Sequence, residues 1–454
     1  MTLHNYPIRY AVSCALVAFS LTGVTSAANF ELSRYLEFGS TVTDNATLAN
    51  TDNQSELVFS VKPSVQLKFS GNRFGAVAIG ELEYFRYNEA NDDVIDPRLI
   101  SRIKGTLVDN LLYLDTSLVV SKLSPDRNFV RITDDDSTAA IFKSKLFLDT
   151  SFGRTADLFA AYRYSTLVDS SGDEFDSDQN SVEFDLGRDP RYSRFIWGLG
   201  GFYSRDESSQ NEFENSVISA SLGASITNTV LIEFTHGEED RKLTTGINTP
   251  NPIISEDNSS SLWRAEVNWS PSELTKLTVG YGERFFGAGP NMQFRHRIRN
   301  SRILASYTRD VTRQAASLDT ISSLSNNPAL NPAIVNTDTV TIDNATVVTP
   351  LEEPYIDNRF RLAYKLAGRR SDVIIDAVYS DQERITGSDT IKSFLARLVF
   401  DRRLSERLSL RLQYDYQKSD ADIRPDLNYK ENRFAIKLLY NFDGIDRTDE
   451  DEFE

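Results

Sequence analysis

Between Arg34 and Phe442 the chain alternates apolar and polar side chains residue by residue, in segments of roughly ten. Leu57, Phe59, Val61, Val65, Leu67 and Phe69 interleave with Ser60, Lys62, Ser64, Gln66 and Lys68. A period of two places the two sets on opposite faces of an extended strand. The segment ends at Gly71-Asn72, a second alternating segment follows, and a long acidic connection runs from Asn88 to Asp96. The cycle repeats along the chain, with tight turns at Val108-Asp109-Asn110, Gly153-Arg154, Ser270-Pro271-Ser272, Arg299-Asn300 and Gly368-Arg369-Arg370. Short turns at one end and long polar loops at the other are the layout of a transmembrane antiparallel up-and-down β-barrel. The segments predict an all-β fold of about twenty strands (roughly 18–22) with no plug domain. The one short connection on the long-loop side is read at Gly287 to Pro290.

The alternation also assigns faces. Trp263, Ala265, Val267 and Trp269 oppose Arg264, Glu266 and Asn268, and Phe434, Ile436, Leu438, Tyr440 and Phe442 oppose Lys437 and Asn441. In a barrel the apolar face meets lipid and the polar face lines water. Aromatics near strand ends (Tyr84, Tyr87, Trp197, Tyr203, Trp269, Tyr379 and Tyr416) are expected to form the interface girdles.

Composition fits this reading. No apolar run after the first thirty residues approaches the roughly 18 needed for a membrane helix, and no Pro/Gly/Ser-rich linker divides the 454 residues. At the N-terminus Arg9, the apolar stretch Tyr10 to Val24 and the small residues Thr25-Ser26-Ala27 predict a signal peptide over 1–27. The single cysteine, Cys14, lies inside it, which leaves 28–442 as a cysteine-free barrel, followed by an acidic tail over 443–454. Residues 313–357, rich in Ser, Thr, Asn and Pro, form the largest insertion, and two placements stay open for it: folded into the pore, or extended outside.

Two stretches resemble a known family. One is Thr43-Asp44-Asn45-Ala46-Thr47-Leu48 with Lys62-Pro63. The other runs from Val267-Asn268-Trp269-Ser270-Pro271 through Tyr281-Gly282-Glu283-Arg284-Phe285-Phe286-Gly287 to His296-Arg297-Ile298-Arg299-Asn300-Ser301 and Ser306-Tyr307-Thr308-Arg309-Asp310-Val311. Together they resemble the exosortase/PEP-CTERM system-associated outer-membrane β-barrel proteins, of the exopolysaccharide-cluster, porin-like type. The resemblance implies a place in the bacterial outer membrane and an association with exopolysaccharide or surface-protein export. It brings no catalytic chemistry. Phe442 matches the expected terminal aromatic, but the acidic tail departs from the usual barrel ending.

By strand parity Arg264, Lys276, Arg284, Arg295, Arg297, Arg299, Arg359, Arg361, Lys365, Arg397, Arg407 and Arg411 point into the lumen, with Glu266, Asp376 and Asp415 as opposing acids. Guanidinium ladders bind carboxylate and phosphate in bidentate fashion, so an anionic solute or polymer could track along them. The competing reading is that these cations pair with acids of facing strands and stabilise the lumen. The outside loops carry the opposite sign at Asp134-Asp135-Asp136, Asp169 to Asp178, Asp206 to Glu214 and Glu238-Glu239-Asp240. Clustered carboxylates favour hard cations, but none has the spacing of a calcium loop, so a solvated surface is expected.

Enzymatic chemistry is not expected. Past the leader only His236, read at a strand's outer end, and His296, read on the lipid face, remain, and there is no G-x-S-x-G element, metal-ligand cluster or cofactor motif. So acidic a chain, with net charge −17, is a poor partner for nucleic acid. The expected partners are outer-membrane lipid and lipopolysaccharide, the barrel-assembly machinery, and a polysaccharide with its export-system protein. The expected function is a passive channel or conduit for anionic solute or polymer, with a non-conducting scaffold that anchors extracellular matrix as the alternative.

Overall fold

The computed structural model describes residues 29–46, 53–88, 93–123, 137–169, 176–188, 193–208, 211–245, 253–312, 355–384, 390–422 and 428–443. The expected leader, Asp134-Asp135-Asp136, the 313–354 stretch and the tail beyond Asp443 lie outside these residues. All the strands belong to one 20-stranded antiparallel sheet. In chain order they are β1 (Asn29–Thr43), β2 (Glu56–Ser70), β3 (Phe74–Tyr87), β4 (Val94–Val108), β5 (Leu112–Leu123), β6 (Ser137–Phe152), β7 (Ala156–Asp169), β8 (Ser177–Gly187), β9 (Phe195–Ser208) and β10 (Asn211–Thr227). They continue with β11 (Val230–Thr245), β12 (Ile253–Ser272), β13 (Thr275–Arg284), β14 (Gly287–Ile298), β15 (Ser301–Thr312), β16 (Tyr355–Ala367), β17 (Ser371–Arg384), β18 (Thr390–Arg403), β19 (Leu408–Ala421) and β20 (Tyr429–Asn441).

Each strand pairs with the next in sequence, and β1 pairs with β20 from Tyr35↔Asn441 to Thr43↔Arg433, so the sheet closes into a barrel. Closure removes both edges and gives every strand a partner on each side. Proline accounts for three lapses of the ladder, because its ring nitrogen donates no hydrogen bond. The β2–β3 ladder skips Pro63, the β4–β5 ladder stops at Leu99↔Val120 before Pro97, and the β14–β15 ladder stops at Met292↔Tyr307 before Pro290.

The closing seam explains part of one sequence motif. Thr43-Asp44-Asn45 leaves β1 and is stapled to β20 at the long-loop end. The Asp44 carboxylate accepts from the Asn432 backbone and side-chain amides, both at 2.7 Å. The fully buried Asn45 donates to the Lys430 carbonyl at 2.9 Å, and the Thr43 hydroxyl bonds the Glu431 carboxylate. At the short-turn end Asp443 accepts from the Arg34 backbone amide at 2.8 Å and its guanidinium at 2.7 Å, and the Phe442 amide donates to the Arg34 carbonyl at 3.0 Å.

The faces follow the alternation. Phe38, Phe59, Val65, Phe234, Val267, Trp269, Phe360, Leu362, Ile375, Phe434 and Ile436 all stand exposed on the outer face. Inner-face residues such as Glu37, Gln66, Glu239, Asp376 and Asp415 are buried inside the ring. Of the girdle candidates Tyr84, Tyr203, Trp269 and Tyr379 are exposed on the outer face, but Tyr87 is buried on the inner face, because three residues from Tyr84 is an odd step in a period of two.

Several strands run further than the alternation suggests. The predicted strands Asn215–Ile226, Asn228–His236 and Ser260–Trp269 grow at their outer ends into β10, β11 and β12. Asp206, Glu207, Glu212, Glu214 and Glu238-Glu239-Asp240 therefore sit on paired strands and not in loops, with Glu212↔Glu207 and Glu239↔Ser260 as register partners. A ladder needs only backbone groups, so it continues where the outward side chains have become polar. His236 consequently lies within β11 and not at its end. A tight connection also appears on the long-loop side at 285–286, and Gly287 to Pro290 belongs to β14.

Two outcomes are expected at the closure. Replacing the buried Asn45 by Ala removes its bond to the part-buried Lys430 carbonyl and should cost about 1 kcal/mol, read as a lower urea midpoint for the folded, heat-modifiable band. Asp443 is held below the usual carboxylate range chiefly by its hydrogen bond from Arg34. A depressed acid contributes stability above its unfolded value and loses it as pH falls through the folded one. The Arg34–Asp443 link should therefore be intact at neutral pH and lost below the ordinary value of 3.8, and D443N should remove this acid dependence from the melting profile.

Candidate functional site

The inner wall of β16 to β20 is built from alternating charges brought face to face by register. Asp376 stands opposite Arg397, Arg397 opposite Asp415, and Asp415 opposite Arg433. Arg361, one step diagonal, grips Asp376 in bidentate fashion at 3.1 and 3.3 Å. Arg397 reaches Asp415 at 2.7 Å, Arg433 reaches its second oxygen at 2.6 Å, and the Gln413 amide adds a bond at 2.7 Å. Side chains of the Arg397–Asp415–Arg433 set are 10% exposed or less. Nearer the short-turn end Arg411 pairs with Asp401 at 2.6 Å. Glu37 there takes Lys437 at 3.1 Å and Lys62 at 3.3 Å.

The same pairing holds elsewhere on the ring. Arg284 joins the buried Glu239 at 2.6 Å and Asp310 at 2.5 Å, Arg359 joins Asp357 at 2.6 Å, and Arg264 bonds Glu266. In the first half Arg102 meets Asp115 at 2.6 Å, Arg98 meets Glu81 at 3.6 Å, and Arg163 meets Glu183. Arg264, Arg284, Arg359, Arg361, Arg397 and Arg411 thus belong to ion-pair networks of the wall.

Four predicted cations gather differently. On β13 to β16 Lys276 stands directly opposite Arg295, and Arg297 stands opposite Arg302, which stands opposite Lys365. Like charges placed across a ladder repel. Lys365 reaches Asp372 at 3.9 Å. Among the described residues no acid forms an ion pair with Lys276 or Arg297. Lys276 is exposed within the ring, whereas Arg361 is buried. Guanidinium and ammonium groups gathered on one concave face suit a carboxylate or phosphate.

Arg299 and Arg407 lie in the turns 299–300 and 404–407, exposed at the short-turn rim and not on the strand faces assigned to them. The two-residue hairpin ends β14 at Ile298, and β19 begins at Leu408, later than the predicted start at Leu404. Arg302, Arg433, Lys437 and Lys62 were not among the predicted cations. Arg302 and Arg433 were legible, since each shares the parity of predicted inner residues across the ladder. Of the histidines, His296 bonds Thr275 at 2.8 Å on the outer face, and His236 is exposed there beside Phe234.

With this geometry described, comparison with known proteins gives the following. No family model and no curated protein matches the sequence. Among solved structures, the chain is similar to BauA, the ferric preacinetobactin receptor of Acinetobacter baumannii. The TM-score is 0.50 at 9% identity, over 91% of this chain and 81% of that one. The ferric-catecholate import receptor Fiu of E. coli K12 gives 0.46 at 9% identity, covering 90% and 81%. OccK2 of Pseudomonas aeruginosa gives 0.38 at 11%, covering 91% and 98%. The chain has the fold of an outer-membrane β-barrel.

Removing one partner of a buried ion pair leaves the others uncompensated, at about 3–5 kcal/mol. Asp415 serves two arginines, so D415A is expected to fall in that range, measured by urea titration of the folded band. D372A, at the 3.9 Å contact, should change stability by less than about 1 kcal/mol.

Proposed function

We propose that this chain spans the bacterial outer membrane and acts as a passive channel that prefers anions. A closed ring of twenty strands is wider than the 16–18-stranded barrels that already hold an aqueous channel. Its exposed outer face of Phe, Leu, Ile and Val supports immersion in lipid, and its charged inner face supports contact with water. The observation that carries the anion preference is that Lys276 and Arg297 face other cations across the ladder, while no acid among the described residues pairs with either. The ion-pair networks elsewhere set the shape of the wall, and these two side chains add positive potential on the inner face.

The resemblance of Thr43 to Leu48 and of Val267 to Val311 to exopolysaccharide-associated barrels directs the substrate class to an anionic solute or polymer under export. A carboxylated polysaccharide offers repeated acceptors with which five clustered cations can engage in turn. The second reading is a non-conducting scaffold. It is favoured by β9 to β12, whose acidic outer ends (Asp206, Glu207, Glu212, Glu238, Asp240) continue as paired strands and offer a stiff surface for attachment.

Planar-bilayer recording of the purified barrel under a salt gradient tests the proposal. Steady steps with an anion-selective reversal potential are expected. The double variant K276E/R297E should reverse the sign of that potential, with the folded band unchanged. R361E addresses the buried network instead, and should lower stability before it changes selectivity. Silence from a correctly folded barrel would favour the scaffold.

A further inference from the structure

The wall between β14 and β15 is stitched over only part of its height. From Ile298↔Ser301 to Met292↔Tyr307 the strands pair. Beyond that point β14 continues through 287–291 paired with β13 alone, and β15 continues through 308–312 paired with β16 alone. The cause lies in the sequence. The 285–286 turn is a two-residue hairpin, whose closing pair, Arg284 and Gly287, exchanges both backbone bonds. Alternation then directs odd-numbered residues of β14 to β13 and even-numbered ones to β15, as the bond from the Arg297 amide to the Leu274 carbonyl shows. Pro290 therefore falls where an N–H toward β15 would have continued the ladder.

A side chain fills the breach. The Arg309 guanidinium donates to the carbonyls of Phe286 at 2.9 Å and Ala288 at 3.0 Å, the even-numbered acceptors that a continued ladder would have used. It lies over the Phe286 ring at 5.3 Å. A Cβ on Gly289 would come within 3.3 Å of Arg309 Cδ, so the glycine makes room for it. On the inner side the Arg284–Asp310 ion pair spans from β13 to β15. The Nε of Arg309 is buried and meets no acceptor among the described residues. Between the two faces of the barrel this part of the wall is therefore glycine backbone, Ala288, Pro290 and one guanidinium.

Its height matters on the membrane-spanning reading, on which this inference rests. The ten residues of β13 measure about 34 Å at roughly 3.4 Å each, or about 24 Å of height at a tilt near 45°. That nearly equals the apolar band of about 25 Å, so the tip of the hairpin stands at the band's outer edge and the unstitched stretch lies in the outer leaflet.

We propose that this seam is a lateral portal between the lumen and the outer leaflet, latched by Arg309, and that its ligand is an anionic amphiphile bearing a phosphate or carboxylate head group on an acyl chain. A charged acceptor forms hydrogen bonds roughly twice as strong as a neutral carbonyl does. A head group arriving at the outer edge of the band therefore draws the guanidinium from Phe286 and Ala288 and satisfies the idle Nε. The acyl chain stays in the lipid, and the strands part where no ladder holds them.

The test uses the mature barrel in neutral phosphatidylcholine vesicles, with spin labels at A288C and N358C, one on each side of the seam. Distances between the labels are measured without additive, then with lysophosphatidic acid, with monoacylglycerol and with inorganic phosphate. Lysophosphatidic acid alone should lengthen the distance by about one inter-strand spacing, roughly 5 Å, and R309A should show the long distance with no additive. Hydrogen exchange of the 308–312 amides in the unlabelled chain should rise with the same additive and no other. An unchanged distance and exchange with lysophosphatidic acid would overturn the portal. An equal response to monoacylglycerol would overturn the charged latch, and a response to inorganic phosphate would overturn the amphiphile as ligand. Conductance is read separately, so a silent channel with a moving seam, or the reverse, tells the two proposals apart.

Discussion

The backbone ladder that closes on itself is the constraint on which everything else here depends. A strand with an unpaired edge exposes a row of N–H and C=O groups, and inside lipid nothing would satisfy them. The pairing of β1 with β20 removes that edge, and Asp44, Asn45 and Asp443 hold it at both ends. With the ring closed, one face of every strand turns inward, and the alternation becomes a division between an apolar outside and a charged inside. The prolines mark where the rule is relaxed, and at Pro290 a guanidinium does the work of the missing backbone donors.

A charged interior brings its own demand. Carboxylates and guanidiniums taken partly out of water need partners, and register supplies them along β17 to β20 as a row of opposite signs that Arg361 extends diagonally from β16. This is why Arg361 and Arg397, for which the sequence left both an open ladder and pairing with acids, are buried in pairs. The few cations set beside other cations are then the informative ones. Lys276 and Arg297 face cations across the ladder, and no acid among the described residues pairs with either.

The shape of the barrel combines with that charge. The short β13–β14 hairpin stands beside the long strands of β10 to β12, so the outer rim is uneven. The cationic patch spans β13 to β16, and the unstitched seam lies within that stretch, between β14 and β15.

The sequence by itself determined the strands and their faces, because alternation with period two is a property of each segment alone. About twenty strands, their order, most tight turns and the outward set from Trp263 to Trp269 were legible there. Ser270-Pro271-Ser272, read as a turn, belongs to β12, and the turn falls at 273–274 because the ladder runs on past Pro271 to Ser272↔Thr275. The outer ends of β10 to β12 were not legible, since a ladder outside the apolar band needs no apolar pattern. Inner-facing parity was legible for ten of the twelve wall cations, and failed for Arg299 and Arg407, where a shift of the strand boundary moved them into turns. What only the tertiary structure decided is which charges meet. Asp415 lies between Arg397 and Arg433, and Arg297 faces Arg302, by virtue of registers between strands. Register is set by turn length, bulge and closure acting together, and no single segment contains that information.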